Sequence, residues 1–137
     1  MNSRLKIVIA DDDPDDVFFF EEAFKKLNIL NYALISFRDG KQTMEYLQAA
    51  QNAEDMPTMI VLDLNMPLLD GFSVLRQIKE TAKLKDIPVF ILTTSKSPAH
   101  RKECKDLGCV EYYIKPIKIN ELVVIIKDIL AKFEEVK

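Results

Sequence analysis

The chain has 137 residues, of which 48% are hydrophobic and 30% are charged, which suits one globular domain of ordinary size. Its 19 Lys and Arg residues face 22 Asp and Glu residues, for a net charge of −3, so no basic excess points to nucleic acid or to an anionic membrane. Charge-free stretches such as Asn28 to Phe37 fall short of the roughly 20 apolar residues of a membrane span. We therefore expect neither nucleic-acid binding nor membrane insertion.

The amino terminus and the cysteines favour a cytoplasmic location. Arg4 and Lys6 precede only a short apolar run that ends in aspartates, so the apolar core of a secretory signal is missing. Cys104 and Cys109 are too few and wrongly spaced for a zinc ribbon or a CxxC pair. Because a reducing compartment disfavours a disulfide, we interpret both cysteines as packing residues.

Five short, mostly continuous apolar runs predict strands that are buried on both faces of a parallel sheet. In chain order they are Leu5 to Ala10, Tyr32 to Phe37, Met59 to Leu62, Val89 to Leu92 and Val110 to Ile114. Apolar residues recur at helical spacing in the intervening segments and form a long stripe from Leu122 to Phe133. Five strands alternating with five helices predict a doubly wound α/β fold with helices on both faces of the sheet.

The prolines agree with this assignment of elements. Pro14 and Pro98 follow Asp13 and Ser97, which are good N-cap residues, and proline is tolerated in the first turn of a helix. The remaining prolines all lie just before or just after a predicted strand. No proline therefore falls inside a predicted element.

Polar residues collect directly after four of the five strands, where open parallel sheets bind their ligands. They are Asp11, Asp12 and Asp13 after the first strand, Asp63 and Asn65 after the third, Thr93 and Thr94 after the fourth, and Lys115 after the fifth. The second strand is followed by Arg38 and Asp39, which read as a plain turn into the next helix. The sequence thus predicts one candidate site built from four strand ends.

The carboxylates of this site call for a positive partner, since two anions about 5 Å apart repel by roughly 3 kcal/mol at an effective dielectric near 20. Asp11, Asp12 and Asp63 would suit Mg²⁺, or Mn²⁺, because both prefer oxygen ligands, whereas zinc prefers nitrogen and sulfur. We interpret Asp13 as a helix cap only. The simpler alternative, in which the whole acidic run only caps the helix, stays open at this point.

Asp63 ends a buried run, where its carboxylate could attack phosphorus and form an acyl phosphate. Lys115 and Thr93 could then neutralise the oxygens of a transferring phosphoryl group. Each also has an ordinary explanation, Lys115 as a solvated loop residue and Thr93 as a β-branched strand end. Their conjunction at four strand ends favours the functional interpretation.

Taken together, these residues resemble the receiver domains of two-component response regulators. The resemblance rests on Asp11-Asp12, on Leu62-Asp63-Leu64-Asn65-Met66-Pro67 with Asp70-Gly71, on Leu92-Thr93-Thr94 and on Ile114-Lys115-Pro116, in this order. It implies a flavodoxin-like strand order of 2-1-3-4-5. The match covers a core from about 5 to 130 in a single receiver domain over residues 1 to 137. Because only 21 residues follow Pro116, we expect no output domain.

The resemblance further implies what the site residues do. Asp63 would be the phosphoacceptor for the phosphohistidine of a sensor histidine kinase or of a histidine phosphotransfer protein. Asp12, Asp63 and the backbone carbonyl of Asn65 would bind Mg²⁺ directly, with Asp11 acting through water. The phosphoryl group would be hydrogen-bonded by Thr93 and paired with Lys115.

The same resemblance implies a conformational switch made of Thr93 and Tyr112. Tyr113 competes with Tyr112 for this role, because successive strand residues face opposite ways. The Lys115–Pro116 bond resembles the cis peptide of the family. Asn65 and Ser95 occupy positions that tune loss of the phosphoryl group in that family.

Other features concern possible partners. The segment from Ala50 to Pro57 is longer than in compact receivers and resembles stand-alone receivers that serve phytochrome-type kinases. Phe18 and Phe19 either complete the core or dock the histidine-bearing partner.

His100 is expected to be a surface residue. The downstream target is expected to be a protein, with the chain a monomer or a phosphorylation-linked dimer.

Three alternatives compete with a phosphorylated switch. A flavin module would place its phosphate against three aspartates, which disfavours it. A phosphatase with an aspartate nucleophile would need an acid two residues later, where this chain has Asn65. A degenerate receiver is disfavoured by the intact Asp63, Thr93 and Lys115. We therefore expect a switch with slow self-phosphorylation and autodephosphorylation, not an enzyme with turnover.

Overall fold

A computed structural model describes residues 4 to 137 as five strands alternating with five helices. The strands are β1 (Leu5–Ala10), β2 (Tyr32–Phe37), β3 (Met59–Leu62), β4 (Val89–Thr93) and β5 (Glu111–Ile114). The helices are α1 (Pro14–Lys25), α2 (Gly40–Ala49), α3 (Gly71–Glu80), α4 (Pro98–Asp106) and α5 (Ile119–Val136). All neighbouring strands are parallel, in the order β2-β1-β3-β4-β5, which confirms the expected α/β architecture.

The sheet is covered on both faces, which explains why its strands are mostly apolar. In β1, Val8 and Ala10 pack against α2 and α3, while Ile7 and Ile9 pack against α1 and α5. Alternate strand residues therefore serve opposite layers of the core. β2 lies at the edge of the sheet beside β1, and the carbonyl of its last residue, Phe37, accepts the N–H of Asp11 at 3.0 Å.

Four helices begin at a side-chain cap, and these caps set where each helix leaves the sheet. The capping residues, whose side chains accept a backbone N–H from the first turn, are Asp13, Asp39, Asp70 and Ser97. Pro14 and Pro98 stand in first turns as predicted. The fifth helix starts after Lys118 without a side-chain cap.

The structure corrects several local expectations. β4 extends one residue further, to Thr93, and β5 starts at Glu111 instead of Val110. The expected cis bond before Pro116 is wrong, because no described residue has a cis peptide bond; the bond is trans, the form that X–Pro bonds favour by about 0.5–1 kcal/mol. Cys104 and Cys109 are buried free thiols, as predicted. Within residues 4 to 137, no helix combines the length and the apolar character needed to cross a bilayer.

Candidate functional site

The pairing of β1 with β3 brings two aspartates together at the carboxyl edge of the sheet. Ala10 pairs with Leu62, so the next residues, Asp11 and Asp63, lie side by side and are 6% and 5% exposed. The backbone N–H of Asp63 donates to the carbonyl of Ala10 at 2.9 Å. Asp12 is exposed beside them, and one carboxylate oxygen from each of the three aspartates lies within 4.8 Å of the others.

Lys115 supplies the cation that this acidic cluster requires. Its Nζ lies 2.8 Å from Oδ2 of Asp11, 2.9 Å from Oδ2 of Asp63 and 2.7 Å from Oδ2 of Asp16. The Lys115 N–H donates to the carbonyl of Thr93 at 2.8 Å, which fixes the end of β5 against β4. The alternative of a solvated loop lysine is therefore wrong.

The protonation states follow from burial and from these contacts. Burial raises the pKa of Asp11 to about 6, although hydrogen bonds from Lys115 and from the N–H of Asp13 oppose the rise. Burial by itself lowers the pKa of Lys115, but its hydrogen bonds to the carboxylates together outweigh that effect and raise the pKa above its ordinary value. Lys115 therefore stays cationic at any physiological pH.

Asp16 is a site residue that the sequence interpretation missed. It lies in the first turn of α1, where an acidic residue is ordinarily explained by the helix dipole. Side chains of a helix lean toward its amino terminus, and Asp16 comes three residues after the cap Asp13. That position directs its carboxylate back to the end of β1. The three-residue spacing from Asp13 could therefore have identified Asp16 as a site residue from the sequence.

Glycine at position 71 allows α3 to start directly against the backbone that carries Asp63. The N–H of Gly71 donates to the carbonyl of Leu64 at 2.9 Å. A Cβ at this position would lie 2.2 Å from the carbonyl oxygen of Asp63. The exposed Asn65 donates its N–H to Oδ1 of Asp63 at 3.4 Å, so the turn after β3 also orients the carboxylate.

The side chains of Tyr112 and Tyr113, neighbours in β5, point to opposite faces of the sheet: Tyr112 faces α4 and Tyr113 faces α5. Tyr112 is 2% exposed, its hydroxyl donates to the carbonyl of Ser95 at 2.8 Å, and Arg101 lies over its ring. Tyr113 instead donates its hydroxyl to Oδ2 of Asp128 at 2.6 Å. Of the two candidates for the switch, Tyr112 therefore lies on the side of α4.

Thr93 is fully buried, and its Oγ1 accepts the backbone N–H of Ser95 at 3.4 Å. The next residue, Thr94, is exposed. His100 is not the plain surface residue expected from the sequence. Its ring is half-buried, packs edge-on against Phe72, and places Nδ1 at 2.7 Å from the hydroxyl of Ser95.

The two phenylalanines of α1 differ in exposure. Phe18 is 62% exposed, whereas Phe19 packs against the core and lines a small cavity beside Asp16 and Lys115. Of the pair, Phe18 is the one that a partner could contact.

Comparison with known proteins identifies the family. Residues 7 to 127 match the model of the response regulator receiver domain. The chain belongs to this family. The receiver is 32% identical over 117 residues to FilR2 of Methanothrix harundinacea, described as a probable methanogenesis regulatory protein, covering 85% of the chain and 75% of that protein. It is 32% identical over 91 residues to the two-component response regulator ORR3 of Oryza sativa, covering 66% of each.

Several of the other relatives are longer proteins. The receiver spans 51% of the response regulator MprA of Mycolicibacterium vanbaalenii. It spans only 24% of a probable cyclic di-GMP phosphodiesterase of Vibrio cholerae. The shared region is therefore the receiver alone, and the activity named for the phosphodiesterase does not carry over to it.

Two solved structures are similar over nearly their whole length. The phosphorylated cyanobacterial phytochrome response regulator RcpA is 30% identical with a TM-score of 0.86, covering 98% of this chain and 97% of that one. The Mn²⁺-bound form of the response regulator Rcp1 is 32% identical with a TM-score of 0.81, covering 93% and 92%. The expected resemblance to phytochrome-linked receivers is thereby confirmed.

The acidic cluster also fits a hard divalent cation. Its donors are all oxygens, and two of the three carboxylates are buried. The single positive charge of Lys115 cannot neutralise these three carboxylates and that of Asp16. Mg²⁺ and Mn²⁺ favour such an oxygen set and keep several waters, for which the exposed side of Asp12 leaves room.

Proposed function

We propose that the chain is a phosphorylation-dependent switch in two-component signalling, with Asp63 as the phosphoacceptor. The observation that carries the proposal is the position of the Asp63 carboxylate. It is buried, in contact with Lys115 at 2.9 Å, and within 4.8 Å of oxygens from Asp11 and Asp12. Such a carboxylate has a fixed direction of attack, and counter-charges stand ready for the group it receives.

In the proposed reaction, a carboxylate oxygen of Asp63 attacks the phosphorus of a phosphohistidine. The new O–P bond forms while the P–N bond breaks, and the imidazole nitrogen keeps the electron pair and takes up a proton from solvent. Lys115 places its ammonium against the phosphoryl oxygens, and the Thr93 hydroxyl donates a hydrogen bond to one of them. Bound Mg²⁺, held by Asp12, Asp63 and the carbonyl of Asn65, with Asp11 acting through water, would supply further positive charge.

The residue two positions after Asp63 supports a switch more than a phosphatase. Asn65 cannot donate or take up a proton as a general acid or base, so nothing at that position activates water for hydrolysis. The acyl phosphate should therefore persist long enough to be sensed. We propose slow self-phosphorylation and autodephosphorylation and no other enzymatic activity.

The proposed donor is a histidine kinase of the phytochrome type or a histidine phosphotransfer protein. Similarity to RcpA over nearly the full length supports this class of partner. The exposed Phe18 lies on α1 two residues after Asp16 and offers an apolar contact for a helical partner. The response would pass through Thr93 and Tyr112 to the surface of α4 and from there to a protein target or a second copy of the chain.

Labelling by acetyl phosphate in Mg²⁺ tests the proposal, with a phosphate-affinity gel as the readout. The wild-type chain should gain one slow-moving species, Asp63→Asn should gain none, and the control Asp55→Asn, in an exposed loop, should label like the wild type. An unlabelled wild type, or equal labelling of Asp63→Asn, would overturn it.

A further inference from the structure

Ser95 is the point at which β4, α4 and β5 are joined by hydrogen bonds. Its N–H donates to Oγ1 of Thr93 at 3.4 Å, and its carbonyl accepts the hydroxyl of Tyr112 at 2.8 Å. Its own hydroxyl lies 2.7 Å from Nδ1 of His100 and accepts the N–H of Ser97 at 3.3 Å. Each polar group of Ser95 thus engages a different partner.

His100 occupies the third position of α4, where a capping box has glutamate, but its side chain contacts Ser95 and not the N–H of the cap residue. It is the third residue of α4, and its N–H donates to the hydroxyl of the cap residue Ser97 at 3.3 Å. In a capping box, the third side chain returns to the N–H of the cap residue. Here Ser95 receives that N–H, and the ring of His100 binds Ser95 instead.

The hydroxyl of Ser95 has one proton and two acceptor sites, and one of those acceptor sites takes the N–H of Ser97. Its hydrogen bond with Nδ1 of His100 therefore forms with either ring tautomer, as donor to the bare nitrogen or as acceptor from its N–H. The edge-on contact with Phe72, at 5.2 Å between ring centroids, holds the ring in this orientation.

We propose that His100 is a positioning residue for the hydroxyl of Thr93. By holding Ser95, His100 keeps the Ser95 N–H directed at Oγ1 of Thr93. Because Oγ1 accepts this N–H, the single proton of Thr93 points away from Ser95 and can be donated to an oxygen bound at Asp63. This inference rests on the proposed phosphorylation of Asp63.

Two substitutions of His100 separate the hydrogen bond from the packing. His100→Asn places its amide group near the position of Nδ1 and keeps a hydrogen-bond partner for Ser95. His100→Gln carries its amide group to the position of Nε2 and loses that partner. Both remove the ring from Phe72, so a role in packing alone would affect both variants equally.

The probe is beryllium fluoride with Mg²⁺, which imitates a phosphoryl group, and its affinity is measured by ¹⁹F NMR titration. We expect His100→Gln to bind about three- to tenfold more weakly, as for the loss of one hydrogen bond, and His100→Asn to stay within about twofold of the wild type. Ser95→Ala should lose as much affinity for beryllium fluoride as His100→Gln, and it replaces His100→Gln in the test if that variant fails to fold. In a Thr93→Ala background, His100→Gln should cause no further loss.

The outcomes distinguish this inference from the function on which it rests. A wild-type chain that does not bind beryllium fluoride in Mg²⁺ overturns the proposed site at Asp63. If the wild type binds, the role of His100 is overturned when His100→Gln binds equally well, when His100→Asn loses as much as His100→Gln, or when the loss persists without Thr93.

Discussion

Lys115 and Asp63 are 52 residues apart in the chain, yet Nζ of Lys115 lies 2.9 Å from Oδ2 of Asp63. The same ammonium contacts the carboxylates of Asp11 and Asp16. One cation therefore serves three anions, with Asp12 close by. The site keeps an excess of negative charge that favours a divalent cation, while Lys115 is already placed beside the carboxylate that would receive the phosphoryl group.

The first prediction concerns Lys115→Met, which removes the cation and keeps much of the side-chain volume. In a chelator, we expect the free energy of unfolding to fall by about 3 kcal/mol, because buried carboxylates lose their partner. Mg²⁺ should bind about three- to tenfold more tightly, since the competing charge is gone, while labelling by acetyl phosphate falls. Urea unfolding and calorimetric titration test this against Lys118→Met, an exposed lysine; unchanged Mg²⁺ affinity would contradict it.

The second prediction separates the adjacent aspartates of the acidic run. Asp12 is an exposed member of the candidate metal cluster, whereas Asp13 caps α1 by accepting the N–H of Asp15 at 2.9 Å. Asp12→Ala should weaken Mg²⁺ binding at least about tenfold with little change in stability. Asp13→Asn should keep both properties, because asparagine is an equally good cap. Equal Mg²⁺ affinities in the two variants would refute the assignment of Asp12.

The third prediction is a pH dependence of metal binding caused by Asp11. Since burial raises its pKa to about 6, Mg²⁺ should bind about tenfold more weakly at pH 5 than at pH 7, and binding near pH 6 should release a proton. In the absence of metal, the folding stability that Asp11 contributes changes with pH in the opposite direction to the Mg²⁺ affinity. The folded chain holds a proton that the unfolded chain releases between pH 3.8 and about 6, so Asp11 contributes stability at low pH that is lost as the pH rises through 6.

Titrations of Mg²⁺ at several pH values, in buffers of different ionisation enthalpy, measure both effects. Asp11→Asn is the control, because an amide cannot titrate. A pH profile that is unchanged in Asp11→Asn would assign the proton to another group.

The sequence predicted the strands well, because each strand is a mostly apolar run bounded by a polar or breaking residue. The bounds of Leu5–Ala10 and Met59–Leu62 agree with the structure to the residue. The positions of Asp11, Asp63 and Lys115 followed from the rule that parallel strands end at one edge. Strand order could not follow from periodicity, since every strand carries the same pattern, and it depended on the resemblance.

The contacts that were missed depend on tertiary geometry. Asp16 is an acidic residue in a first helical turn, where acidic residues are common. Only the tertiary fold brings Lys115, 99 residues later in the chain, into contact with it. His100 lies on a helix with few buried residues, so nothing in its surroundings in the sequence indicated the hydrogen bond with Ser95. Local patterns report burial, but they do not report which distant side chain completes a hydrogen bond.

The fourth prediction assigns Phe18 to partner docking. Phe18→Ala should change the free energy of unfolding by no more than about 0.5 kcal/mol, because the ring is 62% exposed. Phosphotransfer from a phosphorylated phytochrome-type kinase should slow about fivefold or more, while labelling by acetyl phosphate stays unchanged. Leu30→Ala, at an 88% exposed residue beyond α1, is the control. Equal slowing with both donors would mean that Phe18 acts on the acidic site instead.

The fifth prediction compares two glycines that differ in what surrounds them. In Gly71→Ala, the new methyl group would lie 2.2 Å from the carbonyl oxygen of Asp63 and 2.7 Å from Cα of Leu64. Because both are backbone atoms, the turn after β3 must move, and we expect a loss of stability of about 3 kcal/mol together with weaker labelling of Asp63. Gly108→Ala has a φ of +102° but only the flexible side chain of Lys79 nearby, at 3.4 Å.

Gly108→Ala should therefore lose only about 1–2 kcal/mol from backbone strain and should label normally. Urea unfolding and acetyl phosphate labelling of both variants provide the comparison. If Gly71→Ala labelled as well as Gly108→Ala, the close approach of α3 would not be what holds the Asp63 carboxylate in place.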